Sequence, residues 1–375
     1  MEDIYGNQIF MGNRKILIVG GGTGGHLFPA LAIGEEIIKR DSNAKIHYIG
    51  SSFGLESKVF PIKDVWHTLI PIRGFQRGLN FTGLCRNILL PFRILKSLIK
   101  TKKIFNEFSP EIIIGTGGYA SAIPLFVASK QKKPTPIVLQ EQNSYPGITT
   151  RLFAKKAKLI CIAFSESEKQ LIKNTVITGN PVRTGINCGD KTKGLKEFDL
   201  KDSQKTILLF GGSQGSRYLN TMMESIIDKL SGTGVQVLWQ TGDLEYLKYK
   251  KMNSSNIRVI PFINNMADAY AISDLLICRS GALTISEITV CGKPVILIPF
   301  QYAAGDHQTK NAQSLKDAGA AKILNENNLT PKHFIHTIMN LVHNNNILNE
   351  MGKNSMSLGR PNATKEIVDH IFKIL

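Results

Sequence analysis

Residues 15–26 read KILIVGGGTGGH, an apolar run that passes directly into a cluster of glycines. Such a run marks a strand buried on both faces, and the glycines after it mark a tight turn before a helix. The pattern returns as EIIIGTGGY at 111–119, PIVLQEQN at 136–143, KTILLFGGSQG at 205–215, DLLICRSGA at 274–282 and PVILIPF at 294–300. Strands of this kind alternating with amphipathic helices predict an α/β fold whose parallel sheets are covered on both faces. The units at 15–26 and 205–215 begin 190 residues apart and each opens a half of its own, so two Rossmann-like, doubly wound domains are expected. The length of 375 residues agrees, at roughly 100–200 residues per domain.

Outward from these units, the polar stretch NCGDKTKG at 187–194 suits a linker. Pro361 precedes a final amphipathic helix, 363–375, placed to pack back on the first half. The expected division is a disordered extension at 1–13, a first domain at 14–182, a second at 183–356 and a returning segment at 357–375. Residues 112–129 carry no charge over 18 positions, the lower edge of a membrane span. Gly115, Gly117, Gly118 and Pro124 within it read better as strand, turn and helix.

With 42% hydrophobic residues and no low-complexity tract, disorder as the main state is excluded. The five cysteines are odd in number and form no C-x-x-C pair, which argues against a disulfide framework and a zinc site. A reducing cytoplasm is the simplest compartment. The first ten residues carry Glu2 and Asp3 but no base, which is not a secretory n-region. The balance of 46 Lys and Arg against 29 Asp and Glu leaves a formal charge of +17. Much of it falls in 65–106, which holds no acid but carries Arg73, Arg77, Arg86, Arg93, Lys96, Lys100, Lys102 and Lys103 among apolar residues. That mixture suits an anionic membrane surface, or a core helix with a solvated basic face. No nucleic-acid module accompanies the charge, so a nucleic-acid partner is not expected.

The glycine turns carry the candidate chemistry, because ligands of such sheets bind at the C-terminal ends of the strands. GGGTGG at 20–25 satisfies G-x-G-x-x-G, yet the next strand, KIHYIGSS at 45–52, ends without the acid that a dinucleotide ribose needs. A nicotinamide or flavin cofactor is disfavoured. Gly211–Gly215 has no Walker lysine after it, which leaves diphosphate binding by backbone N–H groups at a helix N-terminus. Segment 279–287, RSGALTISE, reads as a second such junction, with Glu287 near enough to accept from a ribose, or as an ordinary capped helix. His26 follows the first loop, where it serves as a base or as a capping residue. No H-E-x-x-H and no D-x-D occur, so neither a metal nor a cofactor is expected.

Taken in order, GGTGGH (21–26), GTGGY (115–119), EQN (141–143), GNPVR (179–183), GGSQG (211–215), CRSGALTISE (278–287) and PFQ…HQ..NA (299–312) closely resemble the MurG family. These are family 28 glycosyltransferases that make the second lipid intermediate of bacterial peptidoglycan. The resemblance runs from about residue 14 to the C-terminus and implies a GT-B fold, two Rossmann-like domains facing a central cleft. It further implies inverting transfer of N-acetylglucosamine from UDP-N-acetylglucosamine to the muramoyl 4-hydroxyl of undecaprenyl-diphosphoryl-N-acetylmuramoyl-pentapeptide (lipid I). It places the chain on the cytoplasmic face of the bacterial inner membrane, docked through 65–106.

The family pattern implies that Ile263 contacts uracil through its backbone and that Glu287 holds the ribose. Thr284, Ser213 and Arg183 would line the nucleotide and diphosphate, with Ala282, Leu283, Ile285 and Ser286 in the same segment and Gln308 by the sugar. Thr23, Gly24, Gly25 and Asn143 would reach in from the acceptor domain. His26 is then the favoured base and Glu141 its rival. A UDP-N-acetylglucosamine epimerase of the same fold and a non-catalytic scaffold are the alternatives.

Overall fold

The computed structural model describes residues 13–74, 88–171, 174–230 and 232–375. The expected extension, save residue 13, and residues 75–87 of the basic, apolar region lie outside the described residues.

The first sheet holds β1 (Lys15–Gly20), β2 (Lys45–Ser51), β3 (His67–Ile70), β4 (Ile112–Gly117), β5 (Ile137–Glu141), β6 (Leu159–Ile162) and β7 (Thr175–Ile177). Their spatial order is β3-β2-β1-β4-β5-β6-β7. The second holds β8 (Lys205–Phe210), β9 (Val235–Gln240), β10 (Ile257–Ile260), β11 (Leu275–Cys278), β12 (Val295–Leu297) and β13 (Ala321–Ile323), ordered β10-β9-β8-β11-β12-β13. Every pairing between these strands is parallel. Both sheets wind outward from a central first strand and reverse direction once, at β1/β4 and at β8/β11. At such a switch point the loops leaving neighbouring strands part and open a crevice.

Helices fill the crossovers of the first half: α1 (Gly24–Arg40), α2 (Glu56–Ile62), α3 (Leu90–Phe108), α4 (Tyr119–Ser129) and α5 (Ile148–Phe153). The second half has α6 (Lys191–Glu197), α7 (Arg217–Glu224), α8 (Asp243–Tyr249), α9 (Met266–Ile272), α10 (Ala282–Val290) and α11 (His307–Asp317). Helices α12 (Pro331–Val342), α13 (Asn345–Ser357) and α14 (Ala363–Phe372) close the chain.

The apolar run of β1 is continuous because the strand is buried on both sides. Ile16 and Ile18 pack with Leu27, Ile33 and Ile37, while the alternate Leu17 and Val19 pack with Phe105 and Leu125. Residues 112–129 form β4 and α4, and among the described residues no helix is long and apolar enough to cross a membrane. The stretch 187–194 differs from the expected linker. Asp190 caps α6 by accepting from the Lys193 N–H at 3.0 Å, and its own N–H donates to Asp268 at 2.7 Å. A Cβ at Gly189 would lie 2.0 Å from the Ala267 carbonyl oxygen, so this segment is packed tightly on α9. Helix α14 returns to the first half, where Ile367, Val368 and Ile371 are fully buried in the cluster beneath α1.

Candidate active site

The loops leaving β1, β4 and β5 in the first half, and β8 and β11 in the second, open on one cavity of about 2070 Å³. Thr23, Gly24, Gly25, His26, Glu141 and Asn143 line it from one side. Arg183, Ser213, Ile263, Ala282, Leu283, Thr284 and Glu287 line it from the other. Three expected residues behave differently. Ile285 is buried in the core of the second half. The Ser286 hydroxyl donates to the Ala282 carbonyl and accepts from Asn180 Nδ2, both at 3.0 Å. The Gln308 Oε1 accepts from the Phe300 N–H at 2.9 Å, and its neighbour His307 lines the cavity instead.

The first glycine loop is held by an acid that the sequence reading missed. Glu56, fully buried on α2, accepts from the Gly22 N–H at 2.9 Å and from the Ser51 N–H at 2.6 Å. Gly21 and Gly22 have φ of +146° and +95°, and a Cβ on Gly21 would sit 2.4 Å from the Glu56 carboxylate. Glycine is therefore required here both by conformation and by contact. The acid absent from the end of β2 arrives five residues later, and it binds the loop itself. The only sequence signal was an acid just past a strand end, beside Gly54.

Thr23 and His26 stand at the N-terminus of α1. The His26 Nδ1 lies 3.1 Å from the Thr23 Oγ1, and the His26 carbonyl accepts from the Thr116 hydroxyl at 2.8 Å. The ring lies so close to β4 that a Cβ at Gly117 would come within 2.8 Å of its Cδ2. Burial, and after it the nearby His307 imidazole, lowers the His26 pKa to about 4, so the ring is neutral at pH 7. Glu141 is more fully committed. Its Oε1 accepts from the Asn143 N–H at 3.0 Å and from Asn143 Nδ2 at 3.3 Å, and its Oε2 accepts from the Gly147 N–H at 3.0 Å. These bonds shape the 142–147 loop.

In the second half, Gly281 precedes α10 and aims the helix N-terminus at the cavity. Burial raises the Glu287 pKa, opposed by the Arg183 guanidinium and by Tyr270. The Arg183 Nε lies 2.9 Å from the Glu287 Oε1, and the Tyr270 hydroxyl donates to Oε2 at 3.3 Å. The two halves meet behind the site. Asn311, fully buried on α11, accepts from both the N–H and the hydroxyl of Ser144 at 2.9 Å and donates to the Asn143 Oδ1 at 3.2 Å.

The N-terminal domain of glycosyltransferase family 28 matches residues 16–162, and its C-terminal domain matches residues 206–370. The chain belongs to glycosyltransferase family 28. Within the family it is 40% identical, over 97% of its length and 99% of the relative's, to the UDP-N-acetylglucosamine--N-acetylmuramyl-(pentapeptide) pyrophosphoryl-undecaprenol N-acetylglucosamine transferase of Flavobacterium psychrophilum. The enzyme of the same name from Christiangramia forsetii is 38% identical over 96% of this chain and 98% of its own. The crystal structure of Acinetobacter baumannii MurG superimposes with a TM-score of 0.77 at 28% identity, covering 96% of this chain and 99% of that one. A putative UDP-N-acetylglucosamine 2-epimerase from Listeria monocytogenes shares the family 28 fold at a TM-score of 0.65 and 14% identity over 95% of this chain and 94% of its own. That likeness extends to the fold alone. The two-domain GT-B architecture expected from the motifs is thus the observed one.

Proposed function

We propose that this chain transfers N-acetylglucosamine from UDP-N-acetylglucosamine to the 4-hydroxyl of a lipid-linked N-acetylmuramoyl-pentapeptide diphosphate. The observation that carries the reading is the gathering of loops from both switch points on one cavity, in a chain 35–40% identical along nearly its whole length to transferases so named. The donor lies against the second half. Glu287 takes the ribose hydroxyls, the backbone at Ile263 takes the uracil, and the N-terminus of α10 with the Gly211–Gly215 loop takes the diphosphate. Charge develops on the departing UDP, and backbone dipoles fixed toward it lower the barrier.

His26 is the base in this reading. When its Nδ1–H donates to the Thr23 hydroxyl, Nε2 keeps its lone pair for the acceptor. The acceptor oxygen bonds to the anomeric carbon, the bond from that carbon to the UDP oxygen breaks, and the hydroxyl proton passes to Nε2. Attack opposite the leaving group inverts the anomeric centre. With its pKa lowered by burial the ring is neutral at pH 7, so Nε2 can take that proton as the hydroxyl oxygen bonds to carbon. Glu141, with both oxygens engaged, serves to order Asn143 beside the sugar. Helix α3 supplies the membrane contact. Phe92, Leu95 and Ile99 project from one exposed face, accompanied by Lys96, Lys100 and Lys103, as an anionic bilayer interface requires.

UDP release, measured with and without lipid acceptor in EDTA, tests the reading. Release is expected to depend on acceptor, to survive the chelator and to fall about a hundredfold or more in His26→Ala. Full activity in that variant would move the base elsewhere. Absence of acceptor-dependent release from folded, UDP-binding protein would favour a scaffold. Phe92→Asp with Leu95→Asp is expected to release the protein from anionic vesicles, and retention would exclude α3 as the contact.

A further inference from the structure

Tyr145 stands on the 142–147 loop at the edge of the cavity, and two cations converge on its ring. Arg151, on α5 of the same half, places Cζ 5.1 Å from the ring centroid and donates from Nη1 to the phenol oxygen at 3.3 Å. Lys310, on α11 of the other half, places Nζ 3.4 Å from the same centroid and donates to the Gly305 carbonyl at 3.2 Å. Among the described residues, no carboxylate forms an ion pair with either one.

Two like charges held against one ring repel each other, and the ring returns only about 0.5–1 kcal/mol to each at an exposed site. An anion seated within reach of both would offset that repulsion and accept charge-assisted hydrogen bonds. The placement is fixed by the buried contact next to it. Asn311, adjacent to Lys310, is bonded to Ser144, adjacent to Tyr145. One cation comes from each half, so the pair exists only where the halves meet.

We propose that Arg151 and Lys310, spaced by Tyr145, form an anion subsite that selects the acceptor at the mouth of the cavity. The proposal rests on the transferase reading above. The ligand chemistry is a carboxylate or phosphate oxygen, and the acceptor in the relatives' name carries a pyrophosphoryl group and a pentapeptide, which supply both.

The test uses the full chain and two water-soluble, short-chain acceptor analogues, one with the pentapeptide and one without it. Arg151→Gln, Lys310→Met, the double variant and the control Lys316→Met, an exposed lysine further along α11, are compared with the parent protein. Each single variant is expected to raise the acceptor KM about threefold to fivefold, and the double variant about tenfold. The donor KM and UDP affinity are expected to stay at the parent values, and the salt dependence of the acceptor KM to flatten. A rise confined to the peptide-bearing analogue assigns the anion to a peptide carboxylate. An equal rise with both analogues assigns it to the diphosphate. An unchanged acceptor KM in the double variant, or an equal rise in Lys316→Met, overturns the subsite. Absence of transfer by the parent protein overturns the transferase reading, and the subsite with it.

Discussion

His26 shows how packing sets the working range of one side chain. A base acts unprotonated, so kcat/KM falls as pH drops through the pKa of the free enzyme's base. Burial and the neighbouring His307 lower the His26 pKa from 6.5 to about 4, and with His26 as the proposed base the fall should move to lower pH with it. We expect the acidic limb of kcat/KM to lie well below pH 6.5, near 4. His307→Gln removes the like charge and should shift the limb upward. A limb at 6.5 in the parent protein would mean that the titrating group is not this imidazole. Glu141 illustrates the converse. Its carboxylate accepts from Asn143 and Gly147 and so orders its loop, which fits the proposed assignment of the proton to His26.

At the scale of elements, the first glycine loop depends on α2. Glu56→Gln keeps the volume but turns an amide N–H₂ toward the Gly22 or Ser51 N–H, leaving a buried donor unsatisfied at about 1–3 kcal/mol. The expected result is a first half less stable by that amount and transfer reduced about tenfold, with UDP affinity unchanged because the proposed donor site lies in the other half. Parent-like transfer in a folded variant would show that the loop holds its shape without the acid. The strands themselves were legible in sequence, since β1, β4 and β8 are buried on both faces and so carry unbroken apolar runs, at 16–19, 112–114 and 207–210. The loops were legible through their glycines. Glu56 was not, because a single acid past a strand end has no periodicity to betray its direction. Nor could spacing tell that the Gln308 side chain folds back on Phe300 while His307 faces the cavity, since both lie in one motif at the head of α11. Helix α6 was hidden by its own composition, with three lysines, a threonine and a glycine among its seven residues, and is made by the Asp190 cap and by packing on α9.

For the whole molecule, the decisive contact is α14, which carries the end of the chain from the second half back to the first. The Arg40 guanidinium pairs with Asp369 and donates to the Lys365 carbonyl at 3.1 Å, and Ile367 fills the core beneath α1. Removing buried methylene groups there leaves a cavity, so Ile367→Ala should cost about 2–5 kcal/mol. The two tryptophans report on the halves separately: Trp66 stacks on His47 in the first, and Trp239 is buried against Tyr249 in the second. In urea, the variant should lower the Trp66 midpoint more than the Trp239 midpoint. Acid should deepen the difference. His26 and His47 both have pKa values lowered to about 4 in the folded chain, chiefly by burial. Between pH 6.5 and 4 the unfolded chain therefore binds more protons, and stability falls as pH falls. A larger loss at Trp239 would show that α14 belongs energetically to the second half. Equal losses at both would mean that the contacts of Asn311 with Ser144 and Asn143 are strong enough to make the two halves unfold as one.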